Sequence, residues 1–217
     1  MLADRKEIFI ESAICSKALT FGSYTLKSGR QSPYFFNLGL FCSGSVLSSL
    51  ATAYAQAIVD HGVEFDVLFG PAYKGISLAA LTVAKLAEIK PSAGHIEYAY
   101  NRKEAKDHGE GGNLVGAPLK GRRVLIIDDI ITAGTAITQA AEMIGQAGGI
   151  VAGIVVAVDR EEKLPGESQS ALQKVSANLK VPVFSIVSFS DIIEVVRPQL
   201  SADQIAAMEK YKLEYGA

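Results

Sequence analysis

The stretch VLIIDDIITAGTAI, Val124 to Ile137, decides how this chain is read. Four large or branched apolar residues, Val124 to Ile127, have the character of a strand buried on both faces. That strand delivers two adjacent carboxylates, Asp128 and Asp129, to the edge of a sheet. Ile130 and Ile131 follow, then Thr132, Ala133, Gly134, Thr135 and Ala136, small residues that open a helix. A helix start carries N–H groups without intrahelical acceptors. With a glycine for close approach and hydroxyls as extra donors, it makes a phosphate cradle. The carboxylates cannot sit against that phosphate without repulsion, and they suit hydroxyls or a cation one sugar away. A phosphate followed by a ribose diol is the ligand this spacing describes. The rival phosphate motifs, G-x-x-x-x-G-K-[ST] and a strand-following G-x-G-x-x-G, are missing. The plainer alternative is a solvated strand end with a helix cap, and a pair of acids directly after a buried run speaks against it.

Outward from this stretch, strand and helix signals alternate. A helix is expected from about Asp4 to Ser16, followed by a strand-like region from Leu19 to Leu40. Leu47, Leu50, Tyr54 and Ile58 recur at helical spacing up to a stop at Gly62. Val67 to Phe69 form a short strand ending at Gly70-Pro71, and a small-residue helix runs from about Gly75 to Ala87. Residues 98–116 break the pattern, being charged, glycine-rich and without apolar periodicity. A helix from about Gly134 to Ala147, a strand from Ile150 to Val158, a helix near Ser168–Asn178 and a strand at Val183–Val187 complete the alternation. Ser201 and Gln204 form a capping box for a last helix, with Ile205, Met208 and Tyr215 on one side. Nearly unbroken apolar strands separated by helices predict an α/β fold, with a mainly parallel central sheet flanked by helices. Ligands of such sheets bind beyond the carboxyl ends of the strands.

Composition narrows the function classes. The chain has 217 residues, 49% apolar and 20% charged, with a net charge of −2. This suits one globular domain and provides no bulk basic field for capturing nucleic acid. No apolar run approaches the roughly 18 residues of a membrane span, and the charged start MLADRKEIF has no secretory core. Cys15 and Cys42 lack metal-ligand spacing and read as free cysteines in or near the core of a reducing compartment. A cytoplasmic protein without membrane or nucleic-acid partners is expected.

Val124–Ile137 resembles the phosphoribosyl-pyrophosphate signature of type I phosphoribosyltransferases. LKSGRQSPYFFN (Leu26–Asn37), GPAYKG (Gly70–Gly75), YNRKEAKDHGEGG (Tyr100–Gly112) and VDRE (Val158–Glu161) narrow the resemblance to the orotate phosphoribosyltransferase family, in its order and spacing. The resemblance implies the type I fold in a single domain spanning 1–217, with a small N-terminal hood over roughly 1–40 and a mobile lid over roughly 101–116. The implied reaction transfers a phosphoribosyl group from phosphoribosyl pyrophosphate to N1 of orotate, in pyrimidine biosynthesis. The implied catalytic groups are Lys103, Lys106, His108, Asp128 and Asp129. Donor binding would add Lys27, Tyr73, Lys74 and Arg102, together with Ile130, Ile131, Thr132, Ala133, Gly134, Thr135 and Ala136. Orotate would meet Phe35, Phe36, Thr132 and Arg160. Only one ring of Phe35–Phe36 is expected to touch the base, because neighbours on a strand face opposite ways. Arg160 could instead form an exposed ion pair with Glu161 or Glu162. The implied cofactor is Mg²⁺, held mainly by the donor and water, and the implied assembly is a homodimer with shared active sites. Two alternatives stand beside this reading: transfer to another base, and a non-catalytic regulator that senses the sugar donor.

Overall fold

In the computed structural model, which describes residues 2–26, 28–106 and 112–217, the decisive stretch forms strand β6 (Arg123–Asp128), a turn, and helix α4 (Thr135–Gln146). β6 lies between β3 (Val67–Gly70) and β7 (Ile150–Asp159), parallel to both. β4 (Glu97–Lys106) joins β3 in parallel, and β8 (Val183–Ser188) joins β7 likewise. β5 (Gly112–Gly116) is antiparallel at one edge, so the sheet order is β5-β4-β3-β6-β7-β8. The mainly parallel α/β sheet is as expected.

The two-residue period of a strand divides the core between the faces. Leu125 and Ile127 of β6, with Leu68, Val155 and Ala157, pack against α2 (Gly44–His61) and α3 (Lys74–Ile89). Val124 and Ile126, with Val67, Phe69, Ile154 and Val156, pack against α4 and α5 (Ala171–Leu179). Each fully buried side chain of this size contributes about 1.5–3 kcal/mol. That doubly covered run fixes where β6 ends, and with it the position of Asp128. Gly62 closes α2 in the left-handed region, φ +67°, as its place after the apolar spacing implies.

The hood is α1 (Leu2–Cys15) with the antiparallel hairpin β1 (Leu19–Thr25) and β2 (Gln31–Phe36). Tyr34 and Phe36 of β2 point inward while Phe35 points out. Phe36 joins Phe9 and Phe41 in an aromatic cluster.

Four expectations need correction. Residues 98–106 and 112–116 are not irregular: β4 and β5 pair antiparallel, with Ala99 opposite Gly116 and Lys106 opposite Gly112. The charged residues sit on strands at the sheet edge, where one side stays wet and apolar alternation is not required. Helix α6 (Phe189–Val196) was not foreseen. It starts with no linker after β8, where Ser188 ends the strand and also caps the helix in a box with Asp191. Cys15 and Cys42 are exposed rather than in the core. In the last helix, α7 (Ala202–Tyr215), the Ser201–Gln204 box is present, but Met208 and Tyr211 form the buried side.

The approach of β3 to α3 predicts a sharp cost at Gly70. A Cβ there would lie 1.9 Å from the carbonyl oxygen of Gly75. Gly70→Ala should lower the unfolding free energy by at least about 3 kcal/mol, since backbone has to move to relieve the overlap. Gly44→Ala, where a Cβ meets nothing within 4 Å, should fall within about 0.5 kcal/mol of the parent. Urea unfolding of the two variants checks the contrast.

Candidate active site

At the carboxyl end of β6 the two acids are held by the backbone that follows them. Asp128 Oδ1 accepts the N–H of Asp129 at 2.9 Å, and Asp129 Oδ1 accepts the N–H of Ile130 at 2.9 Å. Tyr54 of α2 donates its hydroxyl to the Asp128 carbonyl at 2.8 Å, and Ala157 of β7 donates its N–H to the Asp129 carbonyl at 2.9 Å. Lys74 Nζ lies 2.5 Å from Asp129 Oδ2. Burial, and next the negative charge of Asp129, push the Asp128 carboxyl up to about 6. The Asp129 N–H and Lys74 act in the opposite sense.

Beyond Ile131 the turn swings through Gly134, whose φ is +80°, into α4. A Cβ on Gly134 would lie 2.7 Å from Val175, so both the dihedral and the space require glycine. No side chain caps α4. Its first N–H groups therefore face outward from a row of exposed small residues, Thr132, Ala133, Thr135 and Ala136.

A second turn, from the end of β3 to α3, lies alongside. Asn101 of β4 accepts the Ala72 N–H at 2.9 Å, and Lys103 Nζ sits 4.7 Å from the centre of the exposed Tyr73 ring. Tyr73, Lys74, Lys103 and Asp129 thus form one continuous surface, with Arg102 half-buried next to Lys103. Lys106 is the last residue of β4. Lys27 and His108 lie outside the described residues.

On the other side of the acids is a cavity of about 540 Å³, bounded by Phe35, Phe36, Ile130 to Ala133 and Arg160. All four residues assigned from the sequence to the base, Phe35, Phe36, Thr132 and Arg160, reach it. Phe35 is 42% exposed and Phe36 only 6%, so Phe35 offers the open ring and Phe36 closes the floor. Arg160 does pair with Glu162, Nη2 to Oε1 at 2.5 Å, but the pair is not exposed: the side chains are 13% and 15% accessible. The guanidinium also lies 4.7 Å from the centre of the Tyr34 ring. The sequence offered no sign of a role at the site for Tyr34 or Tyr54, whereas Glu162 was expected as one of two possible partners of Arg160, though in an exposed pair.

Residues 45–190 match the phosphoribosyl transferase domain family. Over 220 aligned residues the chain is 54% identical to the orotate phosphoribosyltransferase of Kluyveromyces lactis, covering 100% of this chain and 97% of that one. The chain belongs to the orotate phosphoribosyltransferases. The orotate phosphoribosyltransferase of Cronobacter sakazakii is 50% identical over 96% of both chains. The crystal structure of the Francisella tularensis orotate phosphoribosyltransferase superposes with a TM-score of 0.87 at 42% identity, covering 96% of this chain and 99% of that one. The likeness therefore extends over the hood as well as the sheet.

The raised Asp128 carboxyl has a consequence for stability. The folded chain takes up this proton more readily than the unfolded chain, where an aspartate titrates near ~3.9. Ionised Asp128 thus costs stability that is absent below about pH 4 and complete above about pH 6. Asp128→Asn keeps the acceptor oxygen and removes the charge. Without ligand it should melt above the parent at pH 7.5, and the gap should be much smaller at pH 4.5, vanishing only below about pH 4. Thermal melts at the two pH values test this; an equal gap at both contradicts it.

Proposed function

We propose that this chain transfers the phosphoribosyl group of phosphoribosyl pyrophosphate to orotate, giving orotidine 5′-phosphate and diphosphate for pyrimidine biosynthesis. The observation that carries this reading is the acid pair. It stands between an uncapped helix start on one side and a cavity with an aromatic wall and a buried guanidinium on the other.

The 5′-phosphate takes the N–H groups and hydroxyls of the Thr132–Ala136 turn, and the ribose diol hydrogen-bonds to Asp128 and Asp129. Lys74, 2.5 Å from Asp129, is within reach of the neighbouring diphosphate, as are Tyr73, Arg102 and Lys103. Orotate stacks on Phe35, with its carboxylate on Arg160 and the Thr132 hydroxyl between sugar and base. The C1–O bond then breaks with its electron pair on the diphosphate, and N1 of orotate forms the new bond at C1. Such a transition state asks the protein for positioning and for cations at the departing oxygens.

Carboxylate oxygens are the hard donors that Mg²⁺ prefers. Asp128 and Asp129 offer such oxygens at the strand end, and with only these two beside the sugar the residues fit an ion shared with diphosphate oxygens and water. When bound, the ion adds charge neutralisation at the leaving group. Lys27, Lys106 and His108 complete the cationic shell, and the 101–116 segment acts as the lid. The working unit is a homodimer sharing its active sites, in the cytoplasm. No helix among the described residues is long and apolar enough to cross a membrane.

Three assays test the reading. Asp128→Asn combined with Asp129→Asn should lower kcat/KM at least about 100-fold through lost positioning, with the fold intact by circular dichroism. The parent should turn over orotate but not uracil or hypoxanthine; the reverse preference would assign a different base. Mixing Lys106→Ala with the double Asn variant should restore measurable activity in hybrid dimers if the lid serves the neighbouring site. No recovery after proven subunit exchange would argue against shared sites.

A further inference from the structure

Past the end of β7 the chain turns through Glu161, whose φ of +52° lies in the left-handed region that non-glycine residues seldom adopt. Several bonds hold the turn. The Asp159 carboxylate accepts the Glu161 N–H at 2.9 Å. The Glu161 carboxylate accepts both the backbone N–H and the hydroxyl of Ser190 at the start of α6. Lys212 of α7 donates to that same hydroxyl at 2.6 Å. The next residues are stitched to the end of α7. Glu162 bridges Gly216, Lys163 donates its N–H to the Tyr215 carbonyl at 2.8 Å, and Ala217 donates to the Glu161 carbonyl at 2.9 Å.

This fixed backbone places the Glu162 carboxylate between two guanidinium groups. Oε1 accepts from Arg160 Nε at 2.9 Å and Nη2 at 2.5 Å. Oε2 lies 3.8 Å from Nη1 of Arg30, which comes from the hood. Arg30 is in turn steadied over the ring of Tyr215, 4.6 Å from its centre. All three charged side chains are between 13% and 16% accessible, and all three line the cavity that holds Phe35 and Thr132. Arg160 is therefore held on two sides, by the Tyr34 ring and by Glu162, whose backbone is bridged to Gly216 at the end of the C-terminal helix.

We propose that Glu162 is a positioning residue for the base site: it grips the Nε–Nη2 edge of Arg160 so that the Nη1 end of the fork is presented to the carboxylate of the incoming base. The inference rests on the reading of Arg160 as the orotate grip. A guanidinium is a rigid fork, and its recognition of a carboxylate depends on the direction in which the fork points. A long side chain locked before binding also loses less freedom when the ligand arrives. Arg30 compensates the charge on the other oxygen of Glu162, so the glutamate can hold Arg160 without cancelling its attraction for an anion. The opposite role, an internal carboxylate competing with the substrate, makes the contrary prediction that removing Glu162 tightens binding.

Steady-state kinetics on the full-length enzyme separate these cases. Glu162→Ala should raise the KM for orotate about ten-fold, the loss expected of a charge-assisted hydrogen bond, while the KM for phosphoribosyl pyrophosphate changes by less than about two-fold. Glu162→Gln keeps an acceptor oxygen at the same reach and should recover most of that loss. In an Arg160→Ala background, Glu162→Ala should add nothing, because a residue that acts through another has no separate effect once that other is gone. An unchanged or lowered orotate KM, an equal rise for both substrates, or additive effects in the double variant would overturn the proposal. If the alanine variant does not fold, Glu162→Met, which keeps the length of the side chain but offers no charged acceptor, and its combination with Arg160→Ala decide by the same criteria. A parent enzyme that fails to turn over orotate would instead remove the functional reading, and the Glu162 proposal with it.

Discussion

Two neighbouring carboxylates at the end of a buried strand repel each other, and one of them is largely removed from water. The rest of the site follows from how that repulsion is contained. Each acid accepts a backbone N–H from the turn immediately after it. Such bonds are worth more to an anion than to a neutral acceptor. Lys74 provides the only side-chain cation bonded to either acid among the described residues. That lysine comes from the start of α3, so the acid pair physically couples the β3–α3 turn to the β6–α4 turn. The close contact of Gly70 with Gly75 is what brings the first of these turns near enough.

This arrangement divides the surface by charge. Cationic groups cluster on the Tyr73–Lys103 side of the acids, while the cavity on the other side combines an apolar wall with two guanidinium groups, Arg30 and Arg160, both paired with Glu162. On the proposed reading, a polyanionic sugar and a flat anionic ring would each find the surface that suits them, with the acids at the neutral, hydroxyl-bearing portion between. The hairpin of β4 and β5 matters here because Asn101 and Lys103 reach the β3–α3 turn from a strand rather than from a loose loop. A strand base fixes the direction from which any lid has to approach.

What could be read from the sequence was whatever a local pattern encodes. Most of β6, its turn and the start of α4 lie within the fourteen residues Val124–Ile137, and the Ser201–Gln204 box sits in a four-residue span. Helix α6 carries a plain apolar stripe, Phe189, Ile192, Ile193 and Val196, but its cap is also the last strand residue. Without a loop to announce it, the change of period from two to 3.6 was hidden. The pairing of β4 with β5 was missed for another reason: strands at the rim of the sheet with a wet side need not alternate, so their charges look like a loop. The cysteines were placed inside on residue type alone, and each in fact stands where an element ends or a loop opens. The lysine–aspartate and arginine–glutamate–arginine contacts join residues 55, 2 and 132 positions apart. Only the second of these separations is visible in a sequence window.

The long-range contacts bear on why the hood and the C-terminal helix belong to the catalytic unit. Arg30 enters from the hood, Arg160 from the sheet, and Tyr215 from α7, and Glu162 is where they meet. A carboxylate removed from water with only one partner would pay more in lost hydration than the pairing returns. Two guanidinium groups and a fixed backbone make the burial tolerable, and they also make it cooperative, since each partner is held by a different element. The base cavity therefore has no independent existence on the sheet. Its polar lining comes from the hood and the strand end, with Tyr215 of the final helix behind Arg30, which is why so few of its polar residues leave a trace in local sequence.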